Sequence, residues 1–142
     1  MYIEKEFRFE AAHRLEAPGC DYGKCQNFHG HGFILKVRLY GSVRDDGMIM
    51  NFTYLKQIVS PIIETLDHSF LNDSFPQLAK NYNVPLKGKV TTCEIMADAI
   101  GQMIKNVILK DKQYSNIEKI GITLFETATS SCYNEISLLN EK

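Results

Sequence analysis

Residues 29–43 read His29-Gly30-His31-Gly32-Phe33-Ile34-Leu35-Lys36-Val37-Arg38-Leu39-Tyr40-Gly41-Ser42-Val43. From His31 the apolar positions alternate: His31, Phe33, Leu35, Val37 and Leu39 share one face. Successive side chains of a strand point to opposite faces, so 31–43 reads as a strand with one buried side. Residues 2–13 have the same period. Phe7, Phe9, Ala11 and His13 share one face, and Arg8, Glu10 and Ala12 the other. Arg44-Asp45-Asp46-Gly47 reads as a turn, because Asp-Gly tolerates the dihedrals of a tight reversal. Met48 to Asn51 then reads as a short return strand.

The period changes at Tyr54. Leu55, Ile58, Val59, Ile62, Ile63 and Leu66 fall at helical spacing, which predicts a helix over 54–66 with one face on a core. Pro61 lies inside it and is expected to kink it. Residues 72–90, rich in Asn, Pro, Lys and Gly, read mainly as loop. Thr91-Thr92-Cys93-Glu94 opens a second helix with a stripe of Met96, Ala99, Ile100, Met103, Ile104, Val107 and Ile108. Strands are expected at about 117–126 and 132–138. Strands clustered in hairpins beside two long helices imply an α+β class: an antiparallel four-stranded sheet with two helices on one face.

The 142 residues fit a single domain, 1–142, able to bury a core without disulfides. A formal charge of −1 offers no footprint for nucleic acid and no basic patch for a membrane surface. No apolar run approaches the roughly 18 residues needed to span a bilayer. The opening MYIEKEFRFEAAH lacks the apolar stretch of an export signal, so a cytoplasmic setting is expected. There, Cys20, Cys25, Cys93 and Cys132 are expected as free thiols or metal ligands.

The chemistry concentrates in histidines. His13 ends the first strand on its apolar face, and His29 and His31 flank Gly30 where the second begins. Alternate residues of a strand point the same way about 6.5–7 Å apart. Two imidazoles so placed reach one metal, with a third from the neighbouring strand. Three His ligands leave a fourth zinc position open, as in catalytic sites. A structural site of Cys20, Cys25, His29 and His31 is the rival, although its spacings are unusual and it leaves His13 without a role. Alternatively Cys25 is a thiol that serves as base or nucleophile rather than as ligand.

Asp67-His68 follows the first helix, where His68 would complement the helix dipole. Glu126 continues the face of Ile120, Ile122 and Leu124 and should point inward. A buried carboxylate must be paired, either by an internal cation or by a ligand with a planar pair of N–H donors. Thr91-x-x-Glu94 fits a capping box, which alone could account for Glu94.

Together these pieces resemble the 6-pyruvoyltetrahydropterin synthase family over nearly the whole chain. The resemblance is carried by Phe9-Glu10-Ala11-Ala12-His13-Arg14, Cys25-Gln26-Asn27-Phe28-His29-Gly30-His31, Leu66-Asp67-His68-Ser69-Phe70-Leu71-Asn72, Thr92-Cys93-Glu94 and Glu126-Thr127. Each is weak alone; in this order and spacing they are specific. The resemblance implies that His13, His29 and His31 hold Zn2+. It implies a catalytic triad of Cys25, Asp67 and His68, the last two from an adjacent subunit. Glu126 would grip the pterin, with Thr92 and Glu94 lining its pocket. It implies the T-fold, three subunits closing a barrel and two trimers stacking into a homohexamer.

Three residues separate Cys25 from His29, which looks like the 6-carboxytetrahydropterin synthase branch of queuosine biosynthesis. Five look like the biopterin-forming branch. The resemblance thus implies a lyase converting 7,8-dihydroneopterin triphosphate to 6-carboxytetrahydropterin, acetaldehyde and triphosphate. Its rivals are triphosphate elimination by the biopterin branch and a non-catalytic structural-zinc module. The chain departs from the family pattern at Asn51, where an acidic residue is expected, at Thr91, where proline is common, in a long 72–90 loop, and in the additional Cys20.

Overall fold

The computed structural model describes residues 1–88 and 90–139; residue 89 of the expected loop and residues 140–142 of the domain lie outside them. Strands β1 (Tyr2–His13) and β2 (His29–Gly41) lead to helix α1 (Phe52–Leu66). Then come a two-residue strand β3 (Ser69–Phe70), helices α2 (Leu71–Asn81) and α3 (Cys93–Ile108), and strands β4 (Ile117–Thr127) and β5 (Ser130–Ser137). The sheet has five strands in the order β3-β1-β2-β4-β5. It is antiparallel except for β3, which runs parallel to β1.

Alternation along the strands builds the core as the sequence predicts. Leu35, Val37 and Leu39 stand opposite Leu124, Ile122 and Ile120, and all six are fully buried. Three helices cover that face. Leu55, Val59, Ile62 and Leu66 of α1 and Met96, Ile100, Met103 and Ile104 of α3 are buried in the same cluster. No described helix is long and apolar enough to cross a membrane.

Three expectations need correction. Residues 72–90 are not mainly loop: α2 occupies their first half, burying Leu71, Phe75, Leu78 and Ala79 at helical spacing. Polar residues between those four, and Pro76 within, mask the period. The sheet gains β3, too short for any periodicity to reveal. Met48–Asn51 is not a return strand. Ile49 and Met50 plug into the core, and the Asn51 side chain caps α1 by accepting from the Thr53 N–H at 2.8 Å. A short acceptor is what the position needs, so Asn there is a sound replacement for an acidic residue. Helix α1 continues through Pro61 as one element. Pro61 and Gln57 both lie on the exposed side, so the Gln57 carbonyl, which a proline at 61 leaves without its helical donor, faces water.

Helix α3 lies tight against the sheet at Gly101. A Cβ there would lie 1.9 Å from Ile136 Cδ1 and 3.1 Å from Ile122 Cγ1. Gly101→Ala should therefore destabilise the protein by about 1–3 kcal/mol through overpacking, despite the better helix propensity of Ala. Urea denaturation should show part of that loss restored in the Ile136→Val background, which removes the clashing methyl; an additive double variant would refute the packing argument.

Candidate metal and active site

The antiparallel register sets His13 directly across from His29, and Ala11 across from His31. The ring centroids lie 4.7 Å apart for His13 and His29, 5.3 Å for His13 and His31, and 4.9 Å for His29 and His31. His13 is fully buried. Below the cluster, Phe9 and Phe33 stack at 4.8 Å and give it an apolar floor.

Hydrogen bonds on the far side of two rings set their tautomers. His13 Nδ1–H donates to the Thr91 carbonyl at 3.0 Å, with Thr91 Oγ1 at 3.1 Å. His29 Nδ1–H donates to the Asn27 carbonyl at 2.6 Å. In a neutral imidazole this leaves Nε2 as a lone pair. The Nε2 atoms of His13, His29 and His31 are all buried without a hydrogen-bond partner. Glu126 brings a carboxylate oxygen to 3.2 Å from His13 Nε2 and 3.0 Å from His31 Nε2. The ligand atoms of these four residues lie within 4.8 Å of one another.

Burial lowers the His13 pKa, with the positive forms of His29 and His31 acting in the same direction; the Thr91 carbonyl and Glu126 oppose them. The His13 imidazole therefore resists protonation, and its Nε2 lone pair faces the Glu126 carboxylate. A divalent metal resolves that repulsion. Imidazole-rich sets suit zinc, copper, iron or nickel, and carbonyls bonded to the far ring nitrogen are how proteins orient such ligands. The four residues thus fit a metal.

The sequence reading named His13, His29 and His31 for the metal, and the structure brings them together. It also brings Glu126 there. Cys20 and Cys25 are exposed and stand outside the cluster, so among the described residues no thiol shares it. Cys25 sits in a short 3₁₀ turn, Gly23–Gln26, whose Cys25 carbonyl accepts from Leu15 N–H at 2.8 Å. That bond ties the turn to the chain just beyond His13.

Asp67 and His68 form a dyad. His68 Nδ1 lies 2.9 Å from Asp67 Oδ2, and Asp67 Oδ1 accepts from the Glu10 N–H at 2.8 Å. These two bonds hold the Asp67 carboxyl below its ordinary pKa, the Glu10 amide contributing most. His68 N–H returns to the Glu10 carbonyl at 2.5 Å, and its φ of 57° is the left-handed turn that folds the imidazole back onto Asp67. His68 borders an open groove of about 520 Å³ with Glu10, Ala12, Gly30, Gly32 and Phe70.

Thr92 and Glu94 are placed differently from the histidines. Thr92, not Thr91, is the N-cap of α3, its hydroxyl accepting from Ile95 N–H at 3.4 Å. Glu94 is exposed and lines a separate hollow with Lys87, Asp98 and Cys132. The capping box read from Thr91 and Glu94 does not form: Thr92 caps the helix, Ile95 rather than a carboxylate stands three residues on, and Thr91 turns inward to His13. Sequence reasoning missed Thr91 and Asn27 as ring-orienting residues, since both act through carbonyls. It also missed Asn72, whose amide bonds both Arg14 N–H and C=O, at 3.0 and 2.9 Å.

A family model described as 6-pyruvoyl tetrahydropterin synthase matches residues 2–135. The chain belongs to the 6-pyruvoyl tetrahydropterin synthase family. Among curated members, it is 37% identical to the 6-carboxy-5,6,7,8-tetrahydropterin synthase of Haemophilus influenzae over 92% of this chain and 95% of that protein. It is 39% identical to the 6-pyruvoyl tetrahydrobiopterin synthase of Dictyostelium discoideum over 61% of this chain and 64% of that one. Its fold matches the Caenorhabditis elegans 6-pyruvoyl tetrahydropterin synthase structure with a TM-score of 0.73 at 27% identity, covering 96% of each chain. Members of this family act as lyase-type tetrahydropterin synthases, and the chain is an enzyme of that type.

The depressed His13 pKa has a measurable consequence in metal-free protein. The folded state resists a proton that the unfolded chain accepts at its ordinary 6.5. Stability is therefore intact above that value and lost as pH falls from it toward the lower folded pKa. Urea midpoints recorded between about pH 8 and about pH 5 should fall through this window, and fall less in His13→Gln. Equal pH slopes for the two proteins would count against a strained neutral imidazole.

Proposed function

We propose that the chain is a zinc-dependent lyase that converts 7,8-dihydroneopterin triphosphate to 6-carboxy-5,6,7,8-tetrahydropterin, acetaldehyde and triphosphate. The observation that carries this reading is the convergence of three partnerless Nε2 atoms beside a carboxylate that remains partly exposed. Three imidazole ligands suit zinc and leave a position for substrate oxygen. Bound there, zinc supplies Lewis acidity toward the side-chain hydroxyls of the substrate, lowering the barrier to their deprotonation.

The remaining roles fall to the chain. Cys25 takes a proton as thiolate. Asp67 fixes the His68 tautomer and stabilises its imidazolium, so that His68 returns protons from Nε2. Glu126 reaches the histidine cluster with its carboxylate, so a pterin held there has its side chain beside the metal. Its amino group and ring N–H offer that carboxylate two coplanar donors. Thr92 and Glu94 would complete the pterin pocket.

The carboxy branch is favoured by the three-residue interval from Cys25 to His29 and by the Haemophilus influenzae relative that matches nearly end to end. The biopterin branch, with triphosphate elimination alone, is the second reading, prompted by the Dictyostelium discoideum relative. The reading includes a cytoplasmic homohexamer with sites shared between subunits, acting in queuosine biosynthesis.

Product analysis by mass spectrometry tests the reaction: 6-carboxytetrahydropterin with acetaldehyde is expected, and a pyruvoyl product would assign the other branch. Cys25→Ala should keep about one zinc per chain and lose activity on the order of 10²-fold or more, the scale of a positioned acid or base. Zinc lost in step with activity would make Cys25 a ligand.

Glu126→Gln keeps the shape but loses the charge. Pterin affinity should weaken by roughly 1.5–3 kcal/mol, the scale of bonds to charged groups, with zinc content unchanged. Parallel zinc and affinity measurements separate this from a ligand role, under which the metal itself would be lost.

A further inference from the structure

Cys93 and Cys132 take no part in the proposed chemistry, yet the fold brings them to one place. Cys93 opens α3 and is nearly buried, with Sγ 3.6 Å from the Leu124 carbonyl. Cys132 stands directly across from Leu124 in the β4–β5 ladder and packs on the same core. Both cysteines therefore meet at Leu124, where the start of α3 lies on β4 and β5. Cys132 is also reachable, because it lines the hollow of about 340 Å³ shared with Lys87, Glu94 and Asp98.

We propose that Cys93 and Cys132 form a reversible disulfide, made by exchange with a small-molecule disulfide, that loosens the metal centre through Thr91. The inference rests on the metal reading above for its consequence, but not for the thiol pair.

The chemistry follows from the asymmetry of the pair. The neighbouring Cys93 thiol lowers the pKa of Cys132, while Cys132 and burial push the Cys93 thiol up. Cys132 is thus the attacking group. Its thiolate attacks one sulfur of the small disulfide and expels the other as thiolate. Cys93 then gives up its proton and its sulfur attacks Cys132 in the mixed disulfide, expelling the second thiolate. Two protein thiols are oxidised, one small disulfide is reduced to two thiols, and their protons come from Cys93 and Cys132.

The consequence comes from the neighbours of Cys93. Bringing the two sulfurs to the disulfide length of about 2.05 Å draws the start of α3 toward β5. Two residues before Cys93, the Thr91 carbonyl and hydroxyl hold His13 Nδ1. A shift there disturbs the bond that orients a proposed ligand, and loss of such a bond costs metal affinity on the order of tenfold or more.

The test uses full-length protein in three states: reduced, treated with oxidised glutathione, and re-reduced. Peptide mass mapping should find a Cys93–Cys132 link in the treated sample, with Cys20 and Cys25 only glutathionylated. Treated protein should lose zinc to a competing chelator on the order of tenfold more readily than reduced protein, and re-reduction should reverse this. Cys132→Ser and, separately, Cys93→Ser should abolish the difference, and two variants guard against one failing to fold. Cys93 and Cys132 remaining as thiols while Cys20 and Cys25 react would overturn the pair. A mapped disulfide with unchanged zinc retention would overturn the coupling. Reduced protein that takes up no zinc would overturn the metal reading itself and the coupling with it, while the peptide map still decides the thiol pair.

Discussion

The site depends on the register of β1 against β2. His13 meets His29, and the next pair on the same face sets small Ala11 against His31, leaving room for three rings rather than four side chains. A slip of one residue would send every side chain to the other face and scatter the imidazoles. What prevents the slip lies further down the same ribbon. Phe9 against Phe33 and Phe7 against Leu35 belong to the face that α1 and α3 cover, so the register that assembles the site is the register that buries the core. Fold stability and site geometry are not separable here. A ribbon that kept its hydrogen bonds but shifted its pairing would lose both.

A second layer converts proximity into preorganisation. Rings free to rotate would turn Nε2 to water, and the cluster would dissolve. Carbonyls of Asn27 and Thr91 pin two of them from behind. The junction before α3 does two jobs with adjacent residues: Thr92 caps the helix and Thr91 faces the histidine. Any displacement of the start of α3 is therefore felt at His13, which makes the helix–sheet contact at Cys93 and Cys132 part of the metal site's mechanical surroundings.

The sequence was informative wherever a side chain alone determines the outcome. Period two located β1 and β2, and His-x-His with a third histidine on the adjoining strand found the cluster. It was silent where the backbone decides. The donors to Thr91 and Asn27 go to carbonyls that every residue possesses. The Asp67–His68 contact needs His68 in a left-handed conformation, which residue type does not announce. Short or interrupted elements also escaped. β3 is two residues long, α2 carries Pro76 and polar residues between its buried positions, and Ile49 and Met50 point into the core without strand pairing. Glu126 was read correctly as inward, but alternation could not say that its carboxylate would end against His13 and His31.

The state of the dyad bears on how a complete site is built. Acid–base groups act best where water is excluded, because a low local dielectric strengthens each charge–charge contact. The histidine cluster meets that condition within one chain, with His13 fully buried. The dyad does not: the His68 side chain is 79% exposed, on a groove floored by Gly30 and Gly32, which have no side chains to close it. The bonds from Asp67 and His68 to Glu10 are spent on the outer edge of β1, fixing the dyad in place without covering it. A rigid but uncovered proton carrier calls for a surface from elsewhere, and in the proposed oligomer a second copy of the chain would supply it. The exposed dyad is thus what the proposed sharing of the site between subunits would require, and that sharing would account for Asp67 and His68 standing outside the metal cluster of their own chain.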